Sequence, residues 1–336
     1  MKKLGIITML CSLLFAMNAY AAVDNNDNKT AVSNFVSEVY PNISAEEKEQ
    51  LTEKLYEEKY GDSKSITFSD TPIEPYIQEE DPLYIAMIEK ENYIVDLINQ
   101  LGGTATYESW EYNLDFLNEH LDEIKLLDDV NMEYVNAYIY DYTSLKESKK
   151  NPTEKVYTGQ SLLANGYDYD AAVNYARLYV KNYNPNYPDW TPYGGDCANF
   201  ASQCLYAGGK PMRGTNPNDA LSWFSSGTAT DTNKVSGAWR GANMFRNYWQ
   251  EYSTAYKQFS RGGTDTYNYT WPGDVVSLLN NNGLAYHTLI CTSFISSTQT
   301  TTCFSHTGSA SRDLSTVTVP LIVLHDILLR LSLIHI

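Results

Sequence analysis

The run Gly194-Gly195-Asp196-Cys197-Ala198-Asn199-Phe200-Ala201-Ser202-Gln203-Cys204-Leu205, continuing to Ala207-Gly208-Gly209, constrains the fold more than any other part of the chain. Two glycines permit a turn, Asp196 can cap a helix, and Gly208-Gly209 stops it. The pattern predicts a helix with Cys197 in its first turn. There, unpaired amides and the helix dipole favour an anion, so a thiol can become the thiolate that attacks a carbonyl. The same amides can face the oxyanion of a tetrahedral intermediate. By its surroundings alone, Cys197 reads equally well as a small buried core residue. Cys204, two turns further on among Phe200 and Leu205, reads as core. Ser202 is mid-helix with no adjacent base, so it is not read as a nucleophile. Asn199 and Gln203 read as polar packing partners.

A nucleophilic thiol needs a base, and histidine is the usual one. The chain has five. His120 lies in a different region, and His325 and His335 lie in or near a doubtful tail. His287 and His306 remain. His287 follows the turn signal Asn280-Asn281-Asn282-Gly283 and opens a strand-like run. His306 is on the next such run, so one can act as base and the other can orient it.

Around these residues the pattern alternates between helix and strand. Tyr169 to Tyr183 carries Ala172, Tyr175, Ala176 and Tyr179 on one stripe, and Asn184-Pro185-Asn186-Tyr187-Pro188 ends it. Strand-like runs follow a Trp-rich middle at Asp274 to Leu279, His287 to Ser293, Thr301 to Ser305 and Val317 to Leu324. A helical part with the Cys followed by a sheet with the His is an α+β plan.

The pieces YDYDAAVNYARLYVKNYNPNYP, GGDCANFASQCLYAGG, WPGDVV, the AYHTLI run and SHT at Ser305 to Thr307 resemble the family named "putative amidase domain", related to NlpC-like and CHAP-like hydrolases of the papain-like superfamily. The resemblance covers roughly residues 167–326. It implies a papain-like catalytic domain that cleaves an amide bond, with a peptide or peptidoglycan-type substrate. It implies Cys197 as nucleophile, His287 as base and His306 as third member, with no cofactor and no metal. A non-catalytic binding module on the same fold is the alternative.

His287-x-x-x-Cys291 and Cys303-x-x-His306 also offer two His and two Cys across one hairpin, a possible zinc set. On straight strands 287 and 291 share a face, but 303 and 306 do not, which counts against it. The hairpin itself is expected to turn near Ser296 to Gln299. The pairings Cys291 with Cys303 and His287 with His306 differ by one residue of register. Only a β-bulge reconciles them. We expect the His pair to prevail, because catalysis needs both on the face that meets Cys197.

The rest of the chain reads differently. From Ala22 to Lys150 there are 29 Asp and Glu against 10 Lys and no Arg, whereas from Asn151 onward acids and bases number 12 each. The formal charge of −17 therefore belongs to the first part. Neither part has the basic surface that nucleic acid requires. Ser44 to Glu47 forms a capping box, and apolar stripes run from Tyr84 to Leu101 and from Trp110 to Leu127. We read residues 22–150 as an acidic, mostly helical accessory domain, with a pro-region or spacer as alternatives. Residues 151–166 read as a linker and 167–327 as the catalytic domain. Lys2, Lys3, the apolar stretch Leu4 to Ala16 and Ala19-Tyr20-Ala21 have the order of a secretory signal ending at residue 21, so secretion or a place in the cell envelope is expected. No later apolar run reaches the length of a membrane span. The last residues, 328–336, read LLRLSLIHI with no cap, turn or polar face, and look like sequence foreign to the protein.

Overall fold

Residues 25–60, 74–149, 154–155, 167–295, 298–308 and 310–325 are described by the structure, a computed structural model. The run read as a signal at 1–21, most of the stretch read as a linker and the tail at 328–336 lie outside them.

The first region is helical: α1 (Asn25–Val39), α2 (Ala45–Tyr60), α3 (Pro82–Gln100), α4 (Trp110–Glu119), α5 (Leu121–Ile124) and α6 (Met132–Ser148). The capping box forms in full. The Glu47 amide donates to Ser44 Oγ at 3.2 Å, and the Ser44 amide donates to Glu47 Oε2 at 2.8 Å. α3 starts where Asp81-Pro82 predicts a boundary: Asp81 Oδ1 accepts from the Leu83 amide at 2.9 Å, and Pro82 occupies the first turn. The expected stripe from Trp110 to Leu127 is broken at His120, which ends α4 and precedes α5.

The second region adds α7 (Tyr169–Tyr179), α8 (Cys197–Ala207), α9 (Gly237–Arg240), α10 (Ala242–Tyr252) and α11 (Thr264–Tyr269). Its strands are β3 (Ala255–Phe259), β4 (Val275–Leu279), β5 (Ala285–Ile295), β6 (Thr300–Phe304), β7 (Ser311–Asp313) and β8 (Leu321–His325). Two short strands from outside it, β1 (Glu74–Pro75) and β2 (Glu154–Lys155), complete one sheet in the order β1-β7-β6-β5-β4-β8-β3-β2. The six inner strands are antiparallel, β2 pairs antiparallel with β3, and β1 runs parallel to β7. The α+β plan is therefore as read. α7 and α8 pack together, and both lie against β5.

The two regions share one apolar core, which runs from Val32 and Leu51 through Ile94 and Tyr142 to Phe200, Leu289 and Val323. Polar contacts join them as well. Lys59, at the end of α2, donates to the Tyr267 carbonyl and, at 3.2 Å, to that of Thr270. Its ammonium lies 4.4–4.7 Å from the ring centres of Tyr267, Phe294 and Trp271. Burial pushes its pKa down to about 7, against the pull of Asp274. His325, given no role by its sequence position, is buried in β8. Its Nδ1 lies 2.9 Å from Asp274 Oδ1, and its Nε2 lies 3.3 Å from the Tyr40 hydroxyl.

The β5–β6 hairpin forms as expected, but the pairing is the other one. Cys291 stands opposite Cys303 and Ile290 opposite Phe304. The bulge predicted as a way to satisfy both pairs does occur, but it lies between Cys291 and Ser293, away from the histidines. Ile290 and Cys291 therefore keep the cysteine register, and His287 and His306 are not paired in the ladder.

Candidate active site

Cys197 opens α8 and is 4% exposed. Asp196 precedes it, but its side chain does not cap the helix. Its Oδ1 accepts from the Trp190 amide at 2.9 Å and from Asn199 Nδ2 at 2.8 Å, and its Oδ2 meets His306 Nδ1 at 2.6 Å. The expected cap is thus corrected: the His306 ring and the Trp190 amide draw the carboxylate away from the helix start. The amides there remain available to other groups. The backbone amides of Thr288 and Ala198 lie on the side of the Cys197 thiol and favour its anion. Both stabilise a thiolate, as does the dipole. Burial outweighs them and, with the charges of Asp81 and Asp196, pushes the thiol up to about 12. The expected low pKa is therefore absent from this closed arrangement.

Thr288 is the residue after His287, so β5 brings His287 and Cys197 into one region of the fold. His287 is completely buried. It pairs with Leu278 across β4, and the next pair is Leu279 with Ala285, which leaves Tyr286 as the extra residue of a bulge. Bulges re-aim side chains in this way beside active sites. His287 Nε2 lies 3.5 Å from Ser305 Oγ and 3.7 Å from Asp81 Oδ2. Its Nδ1 has no hydrogen-bond partner. Burial holds the imidazole down at about 4, with Asp81 raising it and Arg312 lowering it, so the ring is neutral near pH 7.

His306 is placed elsewhere. Its Nδ1 faces Asp196 and its Nε2 lies 2.8 Å from the Tyr179 carbonyl. Its ring lies on Phe200 at 4.0 Å and on Tyr183 at 4.2 Å. Both ring nitrogens are thus taken by these two partners. No nitrogen is left to orient His287, the role expected of it, and His306 instead fastens β6 to the start of α8.

The other signature residues pack. Ser202 Oγ donates to the Trp239 carbonyl at 2.8 Å and accepts from Trp223 Nε1 at 2.9 Å. Asn199 Oδ1 accepts from Trp239 Nε1 at 2.8 Å, and Gln203 Oε1 accepts from the Tyr175 hydroxyl at 2.7 Å. The four residues of the zinc reading do not converge. Cys291 and Cys303 face each other at 3.4 Å between sulfurs, and His306 is committed to Asp196 and Tyr179. Among the described residues, no three His, Cys, Asp or Glu side chains form a metal-binding group.

One charged residue at the site was not singled out in the sequence as a site residue. Asp81 is completely buried, with Oδ2 3.5 Å from Arg312 Nη2 as well as 3.7 Å from His287. The segment around it closes over the site. Leu83 packs on Gly195, where φ is +117° and a Cβ would come within 2.4 Å of Leu83 Cδ2. Tyr76 hydrogen-bonds to Tyr286 through their hydroxyls, and Tyr84 meets the Tyr286 ring edge-on at 5.4 Å. In the sequence, Asp81 is visible only as helix punctuation before Pro82.

Comparison with known proteins bears on the second region. Residues 166–321 match a family model described as "Putative amidase domain", which supports hydrolysis of an amide C–N bond. "Uncharacterized protein YhbB" of Bacillus subtilis (strain 168) is 32% identical over 117 residues, a stretch that makes up 35% of this chain and 34% of that protein. The chain thus covers about a third of that relative's length. No solved structure matches the chain. Among the described residues, no helix is long and apolar enough to cross a membrane.

Proposed function

We propose that the protein is a cysteine amidase or peptidase of papain-like type, with Cys197 as nucleophile and His287 as general base. The observation that carries this reading is a buried Cys197 at the start of a helix packed on β5, the strand that carries a buried His287 whose Nδ1 is unpartnered. In the reaction, the thiol proton passes to Nδ1 and the sulfur bonds to the substrate carbonyl carbon. The Thr288 and Ala198 amides, which favour negative charge at the thiol, can then face the developing oxyanion. Collapse breaks the C–N bond, and the amine leaves with the proton held on His287. Water, deprotonated by the same ring, then hydrolyses the thioester and frees the thiol.

The neutral thiol and neutral imidazole fit a resting state, in which the proton moves only once substrate is bound. The signal-like start supports export. Export and an amide-cleaving domain together favour cell-wall peptide as substrate. Peptidoglycan fragments and simple peptide amides, incubated with the parent, Cys197→Ala and His287→Ala, test the reading. Hydrolysis lost in both variants, with unchanged circular dichroism, is expected. Full hydrolysis by Cys197→Ala would remove cysteine chemistry from the account.

A further inference from the structure

We infer that Asp81, from the helical first region, is the positioning residue that orients His287. The inference rests on the cysteine-hydrolase reading above, and it places the third member of the site outside residues 166–321, the span of the amidase domain.

The geometry narrows the choice. A base that takes a proton on Nδ1 must carry its own proton on Nε2, and that N–H needs an acceptor to fix the ring. His306 is excluded by its two existing partners. Two groups face His287 Nε2: Ser305 Oγ at 3.5 Å and Asp81 Oδ2 at 3.7 Å. Of these, only the carboxylate also stabilises the imidazolium that forms once the thiol has lost its proton. Asp81 Oδ2 is itself buried and without a hydrogen bond, while Oδ1 is committed to the Leu83 amide. A buried carboxylate oxygen with no hydrogen bond is costly, and a shift of a few tenths of an ångström toward Nε2 would satisfy both atoms.

The segment is also firmly placed. Asp81 is fixed as the N-cap of α3. Leu83 fits the space left by Gly195, and β1 pairs with β7, which carries Arg312. Arg312 then has a clear part. It balances the carboxylate at 3.5 Å and lies over the Tyr76 ring, so it holds the same segment from the other side. A segment that served only to block the cleft would have no need of a buried carboxylate next to the base.

Asp81→Asn separates orientation from structure. Asn is as good an N-cap as Asp, so Oδ1 keeps its bond to Leu83. The new amide group then points N–H at Nε2, which must accept. The ring proton moves to Nδ1, where it can no longer take the proton of the thiol. Asp81→Ser, also a good N-cap, removes the second oxygen altogether and serves as the second variant.

The measurement is the rate of Cys197 alkylation by iodoacetamide from pH 6 to 10, read by peptide mass spectrometry on the full chain, together with hydrolysis of peptide amides and thermal melting. Both variants should melt near the parent. At pH 7 they should alkylate Cys197 at least roughly tenfold more slowly, and turnover should drop roughly a hundredfold or more, with KM little changed. The alkylation rates should converge with the parent's at high pH, where hydroxide replaces the base. A merely structural role for Asp81 predicts no such convergence. Variant rates equal to or above the parent's at pH 7 would overturn the inference and leave the segment as a simple plug. A parent thiol inert from pH 6 to 9, or full hydrolysis by Cys197→Ala, would overturn the cysteine reading and this role with it.

Discussion

His306→Ala tests whether that histidine acts in the chemistry or in the scaffold. The ring is 3% exposed, sits between Phe200 and Tyr183, and fills acceptors on two elements, Asp196 before α8 and the Tyr179 carbonyl at the end of α7. Truncation leaves the buried Asp196 Oδ2 facing an empty space. Breaking a buried charged pair by removing one partner costs about 3–5 kcal/mol. In a protein of this size each kcal/mol lowers Tm by about 2–4 °C, so a drop on the order of 10 °C is expected by differential scanning calorimetry. His306→Asn can still donate one hydrogen bond to Asp196 but cannot reach Tyr179, and it should recover part of the loss. Below its lowered melting range, the Ala variant should retain much of its turnover. A Tm within about 2 °C of the parent, with turnover abolished, would refute the reasoning and return His306 to the site.

Two further outcomes can be checked. The pKa of His287 is about 4 when folded and near 6.5 when free, so between those values the unfolded chain binds the extra proton, and stability falls as pH is lowered through that window. Denaturant midpoints at pH 7, 5.5 and 4.5 should show the parent losing ground relative to His287→Gln, and parallel curves would contradict the burial of the ring. Cys291 and Cys303, directly opposed across the hairpin, should form a disulfide under mild oxidation, detected as one cross-linked peptide pair lighter by two hydrogens. Cross-links from either residue to Cys197 or Cys204 would contradict the register.

The parts of the site legible in the sequence are those set by local rules. The glycine turn, the helix that follows and its Gly-Gly stop placed Cys197 at a helix start. The strand after a turn signal placed His287 in the sheet. The α3 boundary was readable from Asp81-Pro82, and the capping box from Ser44 and Glu47. What failed depended on which distant group reaches a side chain first. Asp196 looks like a cap until His306 is found beside it. His306 looks like a triad member until the Tyr179 carbonyl takes its second nitrogen. Asp81 lies far from His287 along the chain, and no periodicity links a helix cap to a strand in another region. The short strands β3 and β7 escaped notice because neither has a clean period of two, and α6 because its tyrosines and acidic residues blur the stripe.

The place of β8 bears on how the molecule is assembled. β3 and β4 are consecutive in the chain, yet they do not pair, because β8 lies between them and bonds to both. A ribosome that has delivered residues 255–279 has made two hydrophobic strands with their common partner still to come. Until residues 321–325 emerge, the edges of β3 and β4 that await β8 are open to any other extended segment. High sequence separation of this kind slows folding and prolongs exposure of unpaired edges. The protein therefore depends on being kept from aggregating during synthesis more than its helical first region would suggest. A few residues lost from β8 would leave the sheet in two pieces, even with every residue of the proposed chemistry intact.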